Sequence, residues 1–262
     1  MLEHDKALLK HQNLLGLIGF PLSHSFSKRY FAEKFSAEGI ANYFYELFPI
    51  ASVEEMPLLW EQYPNLKGIN VTIPYKEQVI PYLCRIDGAA AAIRAVNTIK
   101  KEEDGLVGYN TDVYGFEYSL KNKLDKEKLE IKRAIILGTG GAAKACAYVL
   151  QKLGVHFQYV SRKSAEDQLT YEQLRPEIIQ QLQLIINTTP LGMSPQLDTF
   201  PKIPYEALSK QHLLFDLVYN PAETAFLRKG KEQGTHILNG LEMLQLQAEK
   251  AWQIWTNSPN VS

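Results

Sequence analysis

The sequence predicts an α/β fold in which strands and helices alternate. Short apolar runs recur along the chain, and segments whose apolar residues have helical spacing follow them. One run, which begins at Arg133, breaks into glycines and then into an alanine-rich helix former. With 262 residues, the chain can form two modest domains or a single large one, and either buries a substantial core.

Composition argues against several classes of partner. The formal net charge is -1, with 28 basic and 29 acidic residues and no basic block, so neither nucleic acid nor an anionic membrane is an expected partner. The N-terminus lacks a signal-peptide pattern and no run is long enough to span a membrane, so we expect a cytoplasmic protein. Two cysteines and six histidines without metal-ligand spacing predict neither a disulfide framework nor a metal site.

The first predicted strand, Leu14 to Ile18, leads into a loop that is dense in hydroxyls. Gly19 to Pro21 end the strand, and Ser25 and Ser27 stand between it and a helix that should stop near Gly39. Ser27 can cap that helix through its side-chain oxygen, or both serines can hydrogen-bond a polyhydroxylated ligand. The local sequence favours the cap.

A second strand and helix follow, and a third strand leads to a lysine. Asn42 to Leu47 is typical of a strand, and Ser52 to Glu55 form a capping box before a helix. The strand Gly68 to Pro74 includes Thr72 and is followed by Lys76. Open α/β sheets bind ligands outside the carboxyl ends of their strands, so Lys76 is a candidate site residue. A solvated surface lysine is the alternative.

The next segment predicts a helix, a hairpin and a second long helix. Asp87 to Arg94 is alanine-rich, and Ala95 to Ile99 resumes strand character. Asp104-Gly105 forms the turn of a hairpin. The returning strand ends at Thr111-Asp112, where either residue can be no more than the N-cap of the following helix.

The strand from Arg133 and the loop after it predict a Rossmann-type nucleotide-binding domain. Its string Gly138-Thr139-Gly140-Gly141-Ala142-Ala143 has the pattern G-x-G-x-x-A between a strand and a helix. Glycines allow a tight turn, and the backbone N–H groups at a helix start favour an anion such as a pyrophosphate. We therefore assign Gly138, Gly140, Gly141 and Ala142 to a cofactor site. An ordinary tight turn is the alternative.

The end of the next strand indicates which dinucleotide binds. Val155 to Val160 is followed by Ser161, Arg162 and Lys163, where an NAD-binding fold would place an acidic residue for the ribose hydroxyl. A hydroxyl and two cations favour the 2′-phosphate of NADP, which arginine can bind bidentately. The acidic pair Glu166-Asp167 a few residues later argues against this interpretation.

Two further strands should end at the same edge as the glycine loop. Leu184 to Asn187 and Leu213 to Val218 are apolar runs of strand length. The final helix should present Leu241, Leu244, Ala248, Ala251 and Trp255 to the core, with Gln247 beside that face. The cofactor residues that we expect after these two strands and just before the final helix are Thr188, Thr189, Met193, Leu217 and Gly240.

Together these strings resemble the shikimate dehydrogenase family over nearly the whole chain. The strings are Gly19-x-Pro-x-x-His24-Ser25-x-Ser27, Asn70-Val71-Thr72-Ile73-Pro74-Tyr75-Lys76-Glu77, Ala95-Val96-Asn97-Thr98, Asn110-Thr111-Asp112-x-x-Gly115, the glycine loop, Asn187-Thr188-Thr189-Pro190-Leu191-Gly192-Met193, Asp216-x-x-Tyr219-x-Pro221-x-x-Thr224 and Gly240-Leu241-x-Met243-Leu244-x-x-Gln247-Ala248. Two stretches depart from the family pattern: Lys28-Arg29-Tyr30 replaces a proline-containing continuation, and Ser161-Arg162-Lys163 replaces Asn-Arg-Thr.

The resemblance implies NADP-dependent, reversible reduction of 3-dehydroshikimate to shikimate. It implies an α/β substrate domain formed by residues 1–110 and 238–262, with the last helix returning to it, and an NADP-binding domain of residues 111–237. It implies Lys76 and Asp112 as the catalytic pair, and a monomer or homodimer. The residues that it implies for the substrate are Ser25, Ser27, Thr72, Asn97, Asp112 and Gln247; Tyr219 either contacts substrate or only packs.

The chemistry of ketone reduction fits this pair of residues. Hydride addition leaves negative charge on oxygen, so a donor must hold that oxygen and supply a proton. Lys76 can do both, and the carboxylate of Asp112 can keep the lysine charged and bind a substrate hydroxyl. Two alternatives stay open: a paralogue that oxidises quinate with NAD, and a non-catalytic ligand sensor.

Overall fold

A computed structural model describes residues 7–22 and 25–257, and its contacts divide the chain into two compact units. The first unit runs to Thr111 and resumes at Ala248, and the second unit is Asp112–Gln247. From sequence, the domain boundaries are expected after residues 110 and 237; the contacts break after Thr111 and Gln247. Predictions that fall on the N-terminal segment 1–6 and on His24 of the first loop motif lie outside the described residues.

The first unit contains a mixed sheet. Its strands are β1 (Asn13–Gly19), β2 (Tyr43–Pro49), β3 (Leu66–Val71), β4 (Arg85–Ile86), β5 (Thr98–Glu102) and β6 (Gly105–Tyr109). Their order among the described residues is β2-β1-β3-β5-β6-β4, with β1 parallel to β2 and β3, and β5 antiparallel to β3 and β6. The parallel part places the ends of β1 and β3 at one edge, where the hydroxyl-rich loop and the segment of Lys76 begin.

Among the described residues, three helices of the first unit follow its strands. They are α1 (Phe26–Ala37), α2 (Met56–Gln62) and α3 (Gly88–Ile93). The predicted capping box before α2 is confirmed: the Glu55 carboxylate accepts from the Ser52 backbone N–H at 2.9 Å. On α1, Phe31 is fully buried and stacks on Tyr45 of β2 with ring centroids 4.5 Å apart. Aromatic burial of this kind fixes α1, and with it the serines at its start, against the sheet.

The second unit is a parallel sheet flanked by helices. Its strands are β7 (Arg133–Leu137), β8 (His156–Ser161), β9 (Gln168–Thr170), β10 (Leu184–Asn187), β11 (Leu213–Asp216) and β12 (His236–Leu238). Its helices are α4 (Thr111–Glu127), α5 (Gly141–Lys152), α6 (Pro176–Ile179) and α7 (Ala225–Glu232). The order among the described strands is β12-β11-β10-β7-β8-β9, and every pair is parallel. The predicted α/β class is confirmed.

The strand order of the second unit reverses between β7 and β10. The chain proceeds outward from β7 through β8 and β9, then returns to the other side of β7 at β10. The connections that leave the carboxyl ends of the two strands at such a reversal run in opposite directions and leave a crevice, which is where open parallel sheets bind ligands. Gly138 follows β7 and Thr188 follows β10, so two predicted cofactor residues lie at this point.

The last helix, α8 (Leu241–Thr256), begins in the second unit and ends in the first. Trp255 is buried and donates from Nε1 to the Ile99 carbonyl at 3.0 Å. Ala248 and Ala251 are buried as predicted, but Leu241 is 38% exposed, so its assignment to the core face is wrong. Leu241 is the first residue of the helix, and the predicted face does not pack against the core at this end.

Other local predictions also need correction. Ser27 is not the cap of α1: the helix begins at Phe26, Ser25 occupies the N-cap, and Ser27 lies within the first turn. The β5–β6 hairpin pairs Glu102 with Gly105, so its turn lies one residue before the predicted Asp104-Gly105. Strand β9 was not predicted, because three residues are too few to show a hydrophobic period. Within residues 7–22 and 25–257, every helix is too short or too polar to cross a membrane.

Candidate active site

The first glycine of the loop after β7 is required by the fold itself. Gly138 has φ +112°, a backbone conformation that L side chains rarely adopt. A Cβ there would lie 2.5 Å from the Thr188 hydroxyl oxygen. That hydroxyl donates to the Leu137 carbonyl at 2.8 Å, which ties the end of β10 to the end of β7. Gly138 thus allows the two strand ends at the reversal point to approach each other.

The second glycine is not required by the fold. Gly140 is the N-cap of α5 with φ -76° and ψ -174°, an extended conformation that any residue adopts. A Cβ there would meet no described atom within 4 Å. A small residue at this position therefore leaves open space directly over the start of α5, where Gly141 and Ala142 form the first turn. This geometry fits a phosphate group approaching the backbone, so these residues fit the predicted dinucleotide.

Buried hydrogen bonds connect the ends of β10 and β11. The Thr189 hydroxyl donates to Asn187 Oδ1 at 2.6 Å, and Asn187 Nδ2 donates to Asp216 Oδ1 at 2.9 Å. The other carboxylate oxygen of Asp216 accepts from the Thr224 hydroxyl at 2.5 Å, and Thr224 caps α7 by accepting from the Leu227 N–H. Asn187, Asp216 and Thr224 are fully buried. This set of side chains fixes the loop that contains Thr188 and Thr189.

Burial dominates the electrostatics of Asp216. Loss of hydration raises the pKa of this carboxyl from 3.8 to about 6, although the hydrogen bonds from Thr224, the Val218 N–H and Asn187 lower it. The fold therefore favours the protonated form. The resulting contribution to stability is complete below pH 3.8 and is lost as pH rises to about 6.

Replacing Asp216 with asparagine is expected to remove this pH dependence. A pKa raised from 3.8 to about 6 corresponds to about 3 kcal/mol in total, of which about 2.4 kcal/mol is lost between pH 4 and pH 7. Asparagine keeps an acceptor for Asn187 and Val218, and its amide can donate to the Thr224 oxygen. The free energy of unfolding of wild type minus that of D216N, from urea titrations at four pH values, should fall across this range. Parallel curves would contradict the prediction, and the exposed Asp198→Asn is the control.

The remaining predicted cofactor residues of the second unit differ in exposure. Arg162 is exposed just past the end of β8, and Ser161, the last residue of that strand, is half-buried. Leu217 is half-buried directly after β11, and Gly240 lies so close to it that a Cβ would be 2.1 Å from the Leu217 carbonyl oxygen. Met193 is 49% exposed in the long segment between β10 and β11. The exposed guanidinium of Arg162 is available to a ligand phosphate.

In the first unit, two predicted substrate residues lie at the start of α1. The Ser25 hydroxyl oxygen is buried and has no hydrogen-bond partner among the described residues. Ser27 is half-buried in the first turn of α1. A buried hydroxyl without a partner costs free energy unless a ligand or water satisfies it, so Ser25 fits a ligand contact.

Thr72 and Lys76 lie on the segment that follows β3. The Thr72 N–H donates to the Ile18 carbonyl at 3.0 Å, and the Lys76 carbonyl accepts from the Val96 N–H at 2.8 Å. Tyr75, between them, is buried and its hydroxyl donates to the Ile50 carbonyl at 2.8 Å. Backbone and side-chain bonds thus hold this short segment at both ends, and the half-buried Lys76 side chain begins from a fixed position.

Asn97 is buried just before β5 and binds the residue that precedes Asp112. Its Oδ1 accepts from the Thr111 N–H at 2.7 Å, and its Nδ2 donates to the Thr111 hydroxyl at 3.1 Å. The Thr98 hydroxyl donates to the same Oδ1 at 3.1 Å. Asn97 therefore fixes the backbone from which α4 begins.

In the second unit, Asp112 and Gln247 belong to helices in close contact. Both residues are 9% exposed. Gly115, one turn after Asp112, lies so close to α8 that a Cβ would be 2.4 Å from the Met243 carbonyl oxygen and 3.2 Å from Gln247 Cβ. The close approach brings Asp112 and Gln247 to neighbouring turns of α4 and α8. Tyr219 is half-buried in the segment after β11.

Several residues with structural roles at these sites were not assigned from sequence. Asn187, Asp216 and Thr224 occur in the strings that carry the family resemblance, but their interaction is visible only in the fold. The interaction between Tyr45 and Asn70 is also visible only in the fold, because β1 separates their strands. Among the described residues, no group of three or more His, Cys, Asp or Glu side chains could hold a metal ion.

A parallel sheet with a glycine loop beside its reversal point defines a dinucleotide-binding α/β protein. Comparison with known proteins identifies which one: the chain belongs to the shikimate dehydrogenase family. Residues 17–99 match the family model described as the shikimate dehydrogenase substrate binding domain.

Curated relatives and solved structures match over nearly the full length. The shikimate dehydrogenases (NADP(+)) of Clostridium beijerinckii and Desulforamulus reducens are 40% and 36% identical, over 92% of this chain and 90% and 89% of theirs. The Thermus thermophilus shikimate 5-dehydrogenase in complex with NADP(H) and shikimate is 28% identical with TM-score 0.81, over 94% of both chains. Quinate dehydrogenase from Corynebacterium glutamicum in complex with NAD is 27% identical with TM-score 0.84, over 96% of both chains.

These comparisons confirm the predicted family and the predicted class of enzyme, an oxidoreductase. The names of the curated relatives also agree with NADP as the predicted cofactor. The roles of individual residues stay predictions.

Proposed function

We propose that the protein catalyses the reversible reduction of 3-dehydroshikimate to shikimate with NADPH. The observation that carries the proposal is the arrangement of predicted substrate residues around fixed backbone: Asn97 binds Thr111 immediately before Asp112, and Gly115 brings α4 against α8 at Gln247. The relatives named shikimate dehydrogenase (NADP(+)) support the same activity.

The predicted substrate residues suit a hydroxylated carboxylic acid. Hydroxyls can donate to a carboxylate, and the buried Ser25 hydroxyl, which has no partner among the described residues, is the first candidate. Thr72 offers another hydroxyl. The amides of Asn97 and Gln247 can donate to ring hydroxyls or accept from them, and the carboxylate of Asp112 can accept from them. A ligand that satisfies these groups gains affinity because the sites are already partly dehydrated.

In the proposed mechanism, Lys76 carries the proton transfer. Its ammonium holds the carbonyl oxygen of the ketone and donates a proton as negative charge develops there. In the opposite direction, the neutral amine accepts the proton of the substrate hydroxyl. The carboxylate of Asp112 accepts a hydrogen bond from a neighbouring hydroxyl of the substrate. The carbonyl of Lys76, bonded to Val96, keeps the start of this side chain in place.

Residues of the second unit would hold the cofactor, which supplies or receives the hydride when bound. The open space over Gly140 and the N–H groups at the start of α5 fit the pyrophosphate. The exposed Arg162 fits the 2′-phosphate. Thr188 and Thr189, held by Leu137 and Asn187, directly follow β10 at the reversal point.

Initial rates with shikimate and with quinate, each with NADP and with NAD, test the proposal. We expect the highest kcat/KM for the pair of shikimate and NADP. A protein that binds shikimate in calorimetry but shows no turnover with either cofactor would be a ligand sensor, and the proposal would be wrong.

Oxidation of quinate with NAD is the second candidate function, and the likeness to the Corynebacterium glutamicum quinate dehydrogenase in complex with NAD favours it. Quinate carries an additional hydroxyl, and a protein selective for it should differ at its first-loop contacts. The retained Ser25 and Ser27 and the absence of an acidic residue at positions 161 to 163 favour shikimate and NADP instead. A cytoplasmic location and a monomeric or homodimeric state stay predictions.

Replacing Arg162 with glutamine is expected to raise KM for NADP about 10–100-fold and to change KM for NAD little. Charge-assisted hydrogen bonds to a phosphate contribute about 1.5–3 kcal/mol, and NAD lacks that phosphate. Steady-state kinetics with both cofactors measure the effect. Arg228→Gln, which changes an exposed arginine on α7, is the control. Equal losses with NADP and NAD would contradict a role for Arg162 at the 2′-phosphate.

A further inference from the structure

The first turn of α1 is not stabilised by its own side chains. Its N-cap, Ser25, makes no capping hydrogen bond through its side chain, and the hydroxyl has no partner among the described residues. Lys28 and Arg29 lie in this turn, which contains no acidic residue. Positive charge is unfavourable at the N-terminal end of a helix. The two serines that we expect to bind substrate, Ser25 and Ser27, therefore need support from another part of the first unit.

The packing of α1 into the core begins one turn after its start. Phe31 is the first fully buried residue of the helix, whereas Phe26 and Ser27 are half-buried and Arg29 is exposed. The burial of Phe31 holds α1 against the sheet. The orientation of the first turn, a full turn before Phe31, requires a second point of attachment.

A buried carboxylate on β2 provides this attachment. Glu46 is 4% exposed and lies in the middle of β2, in register with Gly16 of β1. The Lys28 ammonium donates to Glu46 Oε1, and the same oxygen accepts from the Leu47 backbone N–H at 2.8 Å. The side chain of Lys28 is half-exposed and that of Glu46 is buried, so the lysine reaches from the surface to a fixed partner.

The burial of Glu46 distinguishes this ion pair from a surface contact. An exposed ion pair contributes little because water screens it. A buried carboxylate has lost its hydration, and removing its cation leaves an uncompensated charge in the interior. The carboxylate also places negative charge beside the first turn of α1, where it offsets the two cations at the helix N-terminus. The proposed mechanism does not use Glu46, and its contact with Lys28 gives this buried acid a role.

On the basis of the proposed function, we propose that Glu46 is a positioning residue of the substrate site. It acts through Lys28, which immediately follows Ser27, and sets the position of both serines relative to the sheet. The Ser25 hydroxyl then stays available to a substrate oxygen, because the helix start does not depend on it as a cap. Such preorganisation lowers the ordering cost of binding.

The stretch that contains Lys28 is one of the two that depart from the family pattern. Lys28-Arg29-Tyr30 replaces a proline-containing continuation. A proline side chain carries no charge and could not form this ion pair. The attachment to Glu46 thus gives a physical reason for the departure.

Lys28→Met is expected to raise KM for shikimate about tenfold and to leave kcat and KM for NADP within about twofold of the wild type. The serines lose their fixed position, while Lys76 and the second unit are untouched. Arg29→Met is the matched control: it removes a cation from the same turn, but the partner of Arg29 is the exposed Glu33 of the same helix. Lys28→Arg keeps a cation for Glu46 and should retain the KM of the wild type within about twofold.

The double variant K28M/E46Q separates positioning from stability. Lys28→Met leaves the buried carboxylate without its lysine, so its thermal midpoint should fall. Adding Glu46→Gln removes the buried charge and should raise the midpoint again without restoring the attachment. KM for shikimate should therefore stay as high in the double variant as in K28M. A KM that recovers together with the midpoint, a wild-type KM in K28M, or equal KM increases in K28M and R29M would overturn the inference.

Wild-type turnover of shikimate with NADP is measured first. If it is absent, the proposed reaction fails, and calorimetric titration of shikimate into the same variants tests Glu46 through the dissociation constant. If the wild type neither turns over nor binds shikimate, both the reaction and the inference are wrong.

Discussion

Replacing Lys76 with methionine is expected to lower kcat for shikimate oxidation about 10²–10⁴-fold, the range for loss of a general acid or base. Methionine keeps most of the length of the side chain and removes its ammonium. KM for NADP should change little, because Lys76 lies in the first unit and the predicted cofactor residues lie in the second. Steady-state kinetics in both directions measure the loss.

Loss of activity in K76M can be assigned to the missing ammonium, because the segment around the half-buried Lys76 is held by other groups. The segment around it is held by the Val96 N–H and by Tyr75, neither of which depends on the ammonium. Lys67→Met is the matched control, since Lys67 lies exposed on β3 a short distance before it. A K76M protein with wild-type kcat and an unchanged thermal midpoint would exclude Lys76 as the proton donor.

The same reasoning extends to the partner of the lysine. Asp112 follows Thr111, whose N–H and hydroxyl are bound by Asn97, and its helix is pressed against α8 at Gly115. The backbone of Asp112 therefore has two independent supports. Loss of activity on removing its carboxylate can accordingly be assigned to chemistry, provided that the variant retains the wild-type thermal midpoint.

Parts of the fold that depend on local pattern could be predicted from the sequence. Leu184–Asn187 is a buried apolar run of strand length, and its observed bounds are those predicted. The capping box at Ser52 is a reciprocal interaction between residues three apart, so it is legible without the fold. The glycine loop is likewise defined by the strand before it and the helix after it.

Features that depend on which strands are neighbours could not be predicted. The Tyr45 hydroxyl binds Asn70 across β1, which lies between their two strands. The order of the strands in the sheet cannot be read from the spacing of the two residues in the sequence. The sequence places Asp216 inside the apolar run Leu213 to Val218, and it does not show that the partners Asn187 and Thr224 reach Asp216 from other elements. The cap of α1 illustrates a different limit: Ser25 and Ser27 are both competent caps, and the difference of two residues is within the uncertainty of a helix start.

The two glycines of the nucleotide loop should respond in opposite ways to the same substitution. Gly140→Ala is expected to raise KM for NADP at least tenfold and to leave stability unchanged, because its Cβ enters space that no described atom occupies but that the pyrophosphate would need. Gly138→Ala is expected to reduce stability by more than about 1 kcal/mol, since alanine at φ +112° is strained and its Cβ would lie 2.5 Å from the Thr188 hydroxyl.

Urea denaturation and cofactor titration of both variants separate the fold from the ligand. For Gly140→Ala, we expect the unfolding midpoint of the wild type and a weakened NADP titration. Gly138→Ala should lower the midpoint even without cofactor, because the strain belongs to the protein alone. If Gly140→Ala bound NADP as tightly as the wild type, no phosphate would approach the start of α5 there, and the cofactor would have to bind in a different pose. A destabilised Gly140→Ala would instead mean that the loop is more closely packed than its open geometry indicates.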